Sequence, residues 1–244
     1  MYVTAVLVGV WLSGKEAERK KLPISSDEIM DFGLRVMFAG ILGGRIYYVA
    51  FNWDFYGANP WEIPQIWHGG LAIHGGLLGG VLAGYLYLRR HAAPTFAFAD
   101  TVAPSVILGQ AFGRFGNFMN GDAHGVPTDS PFGLIFPASS IAGREFPETP
   151  IHPVMLYELA LNLVWFIILR RLRLRPHREG FVFCMYFVLY SIGRVAVSGF
   201  RADSLWFGPV RAAYLASAAL ILVFGFFIVR YRLWEGEEAP KPAA

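Results

Sequence analysis

The stretch GGLAIHGGLLGGVLAGYLYLRR, residues 69–90, runs for twenty residues without a formal charge and then ends on two arginines. As a helix, twenty residues measure about 30 Å, the thickness of the hydrocarbon core of a bilayer. Arg89 and Arg90 put fixed charge where that run stops. Within it Gly76, Gly80 and Gly84 recur at four-residue spacing beside Gly75 and Gly79. In lipid, such a small-residue face lets two helix backbones approach closely. The stretch therefore reads as a membrane span with a packing face.

Working outward, apolar segments of the same kind recur at roughly 1–14, 28–51, 95–118, 153–169, 180–200 and 209–229. Of the 244 residues 55% are hydrophobic and 16% charged, against about 25% charged in a soluble domain. The runs are near twenty residues and do not alternate over ten, so the fold class is an all-α polytopic membrane bundle and not a barrel. The expectation is seven transmembrane helices in one domain, 1–232, with an external loop region at 119–152 and a disordered cytoplasmic tail from 233 to 244. The net charge of +3 calls for no nucleic acid, because basic residues flanking spans set orientation. The single cysteine, Cys184, lies in an apolar run, which excludes an internal disulfide and a cysteine-based zinc site.

Basic residues sort to one side. Lys15, Arg19, Lys20 and Lys21 follow the first segment, Arg89 and Arg90 the third, five arginines between 170 and 178 the fifth, and Arg230 and Arg232 the seventh. The opposite connections hold Arg144 and Arg201. By the positive-inside rule the arginine-rich ends are cytoplasmic, the N-terminus lies outside and the C-terminus inside. The first segment, MYVTAVLVGVWLSG, is short for a span, so the expected first helix is truncated, either continuing before Met1 or shortened here. Ser25 and Glu28 have the spacing of a capping box at the start of the second helix. Gly109 and Gly113 repeat the packing spacing in the fourth.

Ionisable residues inside spans are costly and mark function. With this orientation Arg45, His74 (about 8 Å below the outer end of the third segment), Arg114, Asn117, Tyr157, Glu158, Tyr190, Arg194 and Arg201 gather in the outer half, drawn from five segments. Tyr190, Arg194 and Arg201 fall within about 40° on a helix and share a face. Asp100 lies ~21 Å from Arg114, at the cytoplasmic end. The arginines either pair internally, as Arg45 with Glu158 or Arg114 with Asp122, or present their forks to phosphate. At headgroup depth that phosphate belongs to a phospholipid. His68, His74, His124 and His152 lack metal-site spacing, so no metal is expected, and no nucleotide or serine-hydrolase motif is present.

GGRIYYV at 43–49, HGGLAIHGG at 68–76, GRFGNFMNGDAHG at 113–125, HPVMLYE at 152–158 and YSIGRVAVSGFR at 190–201 resemble, in order and spacing, the bacterial prolipoprotein diacylglyceryl transferases. The resemblance runs from the second helix onward. It implies an inner-membrane enzyme, without cofactor, whose site faces the outer leaflet. Its partners would be phosphatidylglycerol, membrane lipid and prolipoprotein signal peptides with a lipobox cysteine. The diacylglyceryl group passes to the cysteine thiol as a thioether and glycerol phosphate leaves. Carried onto this chain, the phosphatidylglycerol-binding residues are Arg114, Asn117, Asn120, Gly121, Asp122, Gly125, Arg194 and Arg201, and the catalytic ones His74, Arg114, Tyr190 and Arg194. Two positions depart from the family pattern: Asp122 stands where glutamate is common, and Ser198 where many members place an acid.

The implied chemistry is alkyl transfer. Arg114 and Arg194 would hold the phosphate with Arg201 nearer the mouth, Tyr190 would position a headgroup oxygen, and His74 would be the base, unless it makes an interhelical hydrogen bond instead. The competing class, an anionic-lipid transporter or lipid-binding scaffold, needs a polar path into the cytoplasmic half. There the sequence offers mainly Asp31 and Arg35, spaced to pair with each other. A phospholipid headgroup phosphatase is a further alternative, with water as acceptor.

Overall fold

The segment KEAERK that follows the first apolar run is made of good helix formers, and helix α1 (Tyr2–Lys20) continues through it. Glu16, 1% exposed, accepts from Arg19 at 2.9 and 2.6 Å, an i, i+3 pair that carries the helix past its apolar end. The computed structural model describes residues 2–236, and these are mostly helical. The remaining helices are α2 (Ser26–Phe51), α3 (Trp53–Ala58), α4 (Ile73–Arg90), α5 (Thr95–Asn120), α6 (Ile141–Glu145), α7 (Val154–Leu172), α8 (Phe181–Ser198) and α9 (Ala212–Arg230). A two-stranded hairpin, β1 (Trp206–Phe207) with β2 (Val210–Arg211), joins α8 to α9. Seven of the helices overlie the seven apolar segments. Three of them, α2, α8 and α9, are long and apolar enough to cross a membrane by length and composition. The chain divides into two compact units, Val10–Phe98 and Met1–Gly9 with Ala99–Ala244.

In the Val10–Phe98 unit, α2 starts on the expected capping box. Ser25 Oγ accepts from the Glu28 amide and Glu28 accepts from the Ser25 amide at 2.7 Å. Helices α2 and α4 then pack antiparallel through their glycines. A Cβ on Gly43 would strike the Gly75 carbonyl, one on Gly75 the Gly43 carbonyl, and one on Gly79 that of Ala39. The packing face read from residues 75–84 is thus real, and its partner is the small face of α2. By contrast a Cβ on Gly109 or Gly113 of α5 meets nothing, so the same spacing there serves no helix contact among the described residues.

Arg45, 6% exposed, organises the link between α2 and α4. It donates to the carbonyls of Glu62, Ile63, Gly69 and Gly70 at 2.5–2.9 Å and lies 5.0 Å over the Tyr56 ring. Backbone carbonyls, and not the Glu158 weighed above as one alternative, are its hydrogen-bond partners among the described residues. Gly69 and Gly70 are drawn into left-handed backbone (φ 88° and 80°), so α4 begins at Ile73 and not near residue 69. His74 consequently sits in the first turn of α4, not 8 Å inside it.

In the second unit α5 and α8 run side by side in the same direction. Asp100, fully buried, accepts from the amides of Gly180 and Phe183 at 2.8 Å each and so caps the N-terminus of α8. Further along, Gln110 donates to Tyr186 Oη at 2.9 Å. Helix α7 packs antiparallel on α8, with Leu169 beside Val182 in a core that also holds Ala103, Ile107 and Leu189. Helix α9 joins through Phe224, stacked on Phe187 at 4.1 Å. Its other side leaves Leu222, Val223, Phe226 and Val229 exposed. After α9 the chain turns back, and Leu233 accepts from the Arg178 amide at 3.0 Å. Residues 233–236 are therefore structured, whereas 237–244 of the expected tail lie outside the described residues.

Two substitutions test this packing by thermal unfolding in detergent. Gly75→Ala should lower the midpoint because the methyl meets backbone, whereas Gly109→Ala should leave it unchanged or raise it, by up to about 1 kcal/mol of helix propensity. Asp100→Ala should cost about 1–2 kcal/mol, as expected for loss of a helix cap.

Candidate functional site

Glu158 stands in the second turn of α7, 7% exposed, where three arginines from other elements converge on it. Arg114 of α5 approaches with Nε 2.6 Å from Oε2, and Arg194 of α8 with Nη1 2.9 Å from Oε1. Arg201, past the end of α8, donates from Nη1 to both oxygens at 3.1 Å. Arg201 also clasps Asp203, Nε to Oδ1 at 2.8 Å and Nη2 to Oδ2 at 2.5 Å. Three guanidiniums thus meet two carboxylates, a formal excess of one positive charge.

The three arginines differ in what they have left. All the nitrogens of the Arg201 fork are engaged, and its side chain is 5% exposed. Burial alone would lower its pKa, but the bonds to Asp203 and Glu158 outweigh that and hold it above its ordinary value. Arg201 is therefore the most buried of the three, contrary to the expected place nearer the mouth. Arg114 and Arg194, with side chains 24% and 25% exposed, retain donors that bond to no described residue. Arg114 also reaches Asn117 Oδ1 at 3.4 Å, and Asn117 donates to Asp122 at 3.3 Å. Asp122 is linked to Arg114 only through that amide, not as the direct pair considered above.

Local backbone explains how Arg201 arrives. Helix α8 stops at Ser198, so the shared helical face holds for Tyr190 and Arg194 but not for Arg201. Arg201 is set instead by an antiparallel bridge to Gly125, flanked by Val126 N to Phe200 O at 2.9 Å and His152 N to Val126 O at 3.0 Å. A side chain at Gly125 would strike the His152 carbonyl, so the strand crossing requires glycine. Gly121, at φ 65°, ends α5, and its Cβ would crowd Ser140. Asn120 is the exposed last residue of that helix.

Tyr190 is half-buried one turn before Arg194, its ring stacked 6.2 Å from Tyr186, and its hydroxyl bonds to no described residue. His74 belongs to the Val10–Phe98 unit. It is exposed, 6.1 Å from the Tyr47 ring, and makes no hydrogen bond to a described residue, so the interhelical bond considered as its alternative role is absent.

Sequence reasoning undervalued two members. Glu158 is legible in the sequence as an acid among the arginines of the outer half, where spacing offers it only as a partner of Arg45. Arg211 was hidden inside an apolar segment. It caps the end of α8 by donating to the Ser198 carbonyl, bonds Ser204 Oγ at 2.9 Å, and lies 5.0 Å over Trp206.

The family model described as prolipoprotein diacylglyceryl transferase matches residues 1–230. Phosphatidylglycerol–prolipoprotein diacylglyceryl transferases of Bacillus cereus (strain G9842) and Bacillus anthracis are each 42% identical over 238 residues, covering 96% of this chain and 87% of theirs. That of Bacillus cereus (strain B4264) is 41% identical over the same span. With nearly the whole chain matched on both counts, the protein belongs to the prolipoprotein diacylglyceryl transferase family.

Proposed function

We propose that the Glu158-centred arginine cluster is the site where this transferase holds the phosphate of phosphatidylglycerol while its diacylglyceryl group passes to the lipobox cysteine of a prolipoprotein. Family membership makes the chain an enzyme of diacylglyceryl transfer to prolipoproteins. The observation that carries the choice of site is the division among the arginines: Arg201 is fully engaged, while Arg114 and Arg194 share one carboxylate and keep free donors.

In the reaction the cysteine thiolate attacks the terminal glycerol carbon of the diacylglyceryl group. The sulfur–carbon bond forms, the carbon–oxygen bond to phosphorus breaks, and the electron pair leaves with glycerol phosphate. A free thiol with pKa about 8.5 must first lose its proton. His74 is the base in this reading, supported by its exposed, unbonded ring. The phosphate gains charge as it leaves, and fixed guanidiniums in a water-poor site stabilise that charge strongly. Glu158 keeps three like charges within reach of one another before lipid arrives. Tyr190 offers a free hydroxyl to a headgroup oxygen, and Asn117 orients Arg114. Asn120, Gly121, Asp122 and Gly125 complete the lipid-binding set, the glycines by shaping backbone.

The seven long helices are read as seven spans of a bacterial inner membrane, N-terminus outside and C-terminus in the cytoplasm, with the cluster toward the outer leaflet. The Asp31–Arg35 pair, closed at 2.8 Å, leaves little of the cytoplasmic polar path that a transporter would need.

The test follows labelled diacylglyceryl from phosphatidylglycerol to a lipobox peptide. Arg114→Ala and Arg194→Ala should each lower turnover on the order of a hundredfold or more. Near wild-type turnover in Arg114→Ala would falsify the phosphate clamp. His74→Ala should abolish transfer while phosphatidylglycerol still binds. Loss of binding together with turnover assigns His74 a structural role.

A further inference from the structure

The other end of the larger unit carries a second arginine cluster with the opposite bonding state. Five arginines lie between residues 170 and 178, at the close of α7 and in its link to α8. Two more are Arg230, the last residue of α9, and Arg232 just past it. Sequence places these groups fifty residues apart, and hydrogen bonds bring them together. The Arg178 amide donates to the Leu233 carbonyl at 3.0 Å, and Arg178 Nη1 to the Tyr231 carbonyl at 3.1 Å. At this surface the seven guanidiniums face the carboxylates of Glu179 and Glu235, a formal excess of five among the described residues. Glu235 lies 3.9 Å from Arg178 and 3.5 Å from Arg232. Asp100 nearby is buried on the α8 N-terminus. Arg171, Arg175 and Arg230 are exposed with no carboxylate partner among the described residues. Apolar side chains stand among them: Leu174 is 61% exposed, Tyr231 53% and Trp234 47%.

Guanidiniums mixed with exposed tryptophan, tyrosine and leucine make a surface suited to headgroup level, where ring and stem meet lipid and charge meets phosphate. We propose that this end of the unit is a seat for anionic phospholipid headgroups, ~20 Å along α8 from Arg194 and separate from the catalytic cluster. Placing it in the cytoplasmic leaflet rests on the orientation proposed above; the lipid preference itself does not. Each guanidinium near an anionic surface favours it by about fivefold. The Arg171, Arg175 and Arg230 set is thus enough to retain anionic lipid against a zwitterionic excess, and the preference must weaken with salt.

The experiment uses the full chain in mixed nanodiscs of phosphatidylserine, an anionic probe that is not the donor, and phosphatidylcholine. Lipid retained by the protein is counted by native mass spectrometry. Wild type should retain phosphatidylserine several-fold over its bulk fraction, less so at high salt. Arg171→Gln/Arg175→Gln/Arg230→Gln should lose that preference while keeping diacylglyceryl transfer. The corresponding triple lysine variant, which preserves the charge that sets orientation, should keep most of it. Arg114→Gln should lose transfer and keep the preference. The proposal is overturned if wild type shows no preference, or if the triple glutamine variant retains it. Loss of the preference in Arg114→Gln overturns it too, by moving the anion to the catalytic cluster.

Discussion

One carboxylate, that of Glu158, makes the arginine cluster possible. Three guanidiniums within reach of one another repel, and in a partly buried setting that repulsion is poorly screened. A single acid among them supplies a common counter-charge, with Asp203 taking a share of Arg201. This arrangement ties the C-terminal end of α5, the second turn of α7, the later part of α8 and the segment after it to one pair of oxygens. Removing such a partner from a buried network is far more damaging than its net contribution to folding, because uncompensated charges remain.

The division of labour among the arginines follows from geometry. Arg201 is locked between two carboxylates and into a strand crossing that only glycine permits, which suits a fixed source of positive potential. Arg194 is held at Nη1 by Glu158, Arg114 at Nε by Glu158 and at Nη1 by Asn117, and both keep further donors open, which suits recognition of an anion. Arg211 supports this by closing the end of α8 from the far side of the hairpin.

Much of this was legible beforehand, and the failures have physical causes. Long apolar runs bounded by arginines mark helix positions well, because a span must satisfy its own backbone and its length is set by the membrane. The α2–α4 glycine contact was legible from spacing, and the capping box from Ser25 and Glu28. Spacing alone could not distinguish Gly109 and Gly113, against which no described residue packs within reach of a Cβ. Helix ends were less legible: the start of α4 depends on carbonyls captured by Arg45, and the end of α8 on a bridge to Gly125. Counting charges along the chain picks out Arg114, Arg194 and Arg201, which the structure brings together on Glu158, but it weighs Glu158 only as a partner of Arg45. Pairing is decided by the three-dimensional approach of α5, α7 and α8, which depth in the membrane does not encode.

The Asp100 cap has a reach beyond the helix start it satisfies. Because α5 and α8 are parallel, Asp100 on one fixes the axial register of the other, and Arg114 and Arg194 ride on those same two rods. A slip of one residue would move one guanidinium by about 1.5 Å relative to its neighbour, comparable to the tolerance of a bidentate grip on phosphate. Asp100 thus acts as the zero mark of a ruler whose reading is taken at the far end, at the spacing of two arginine forks.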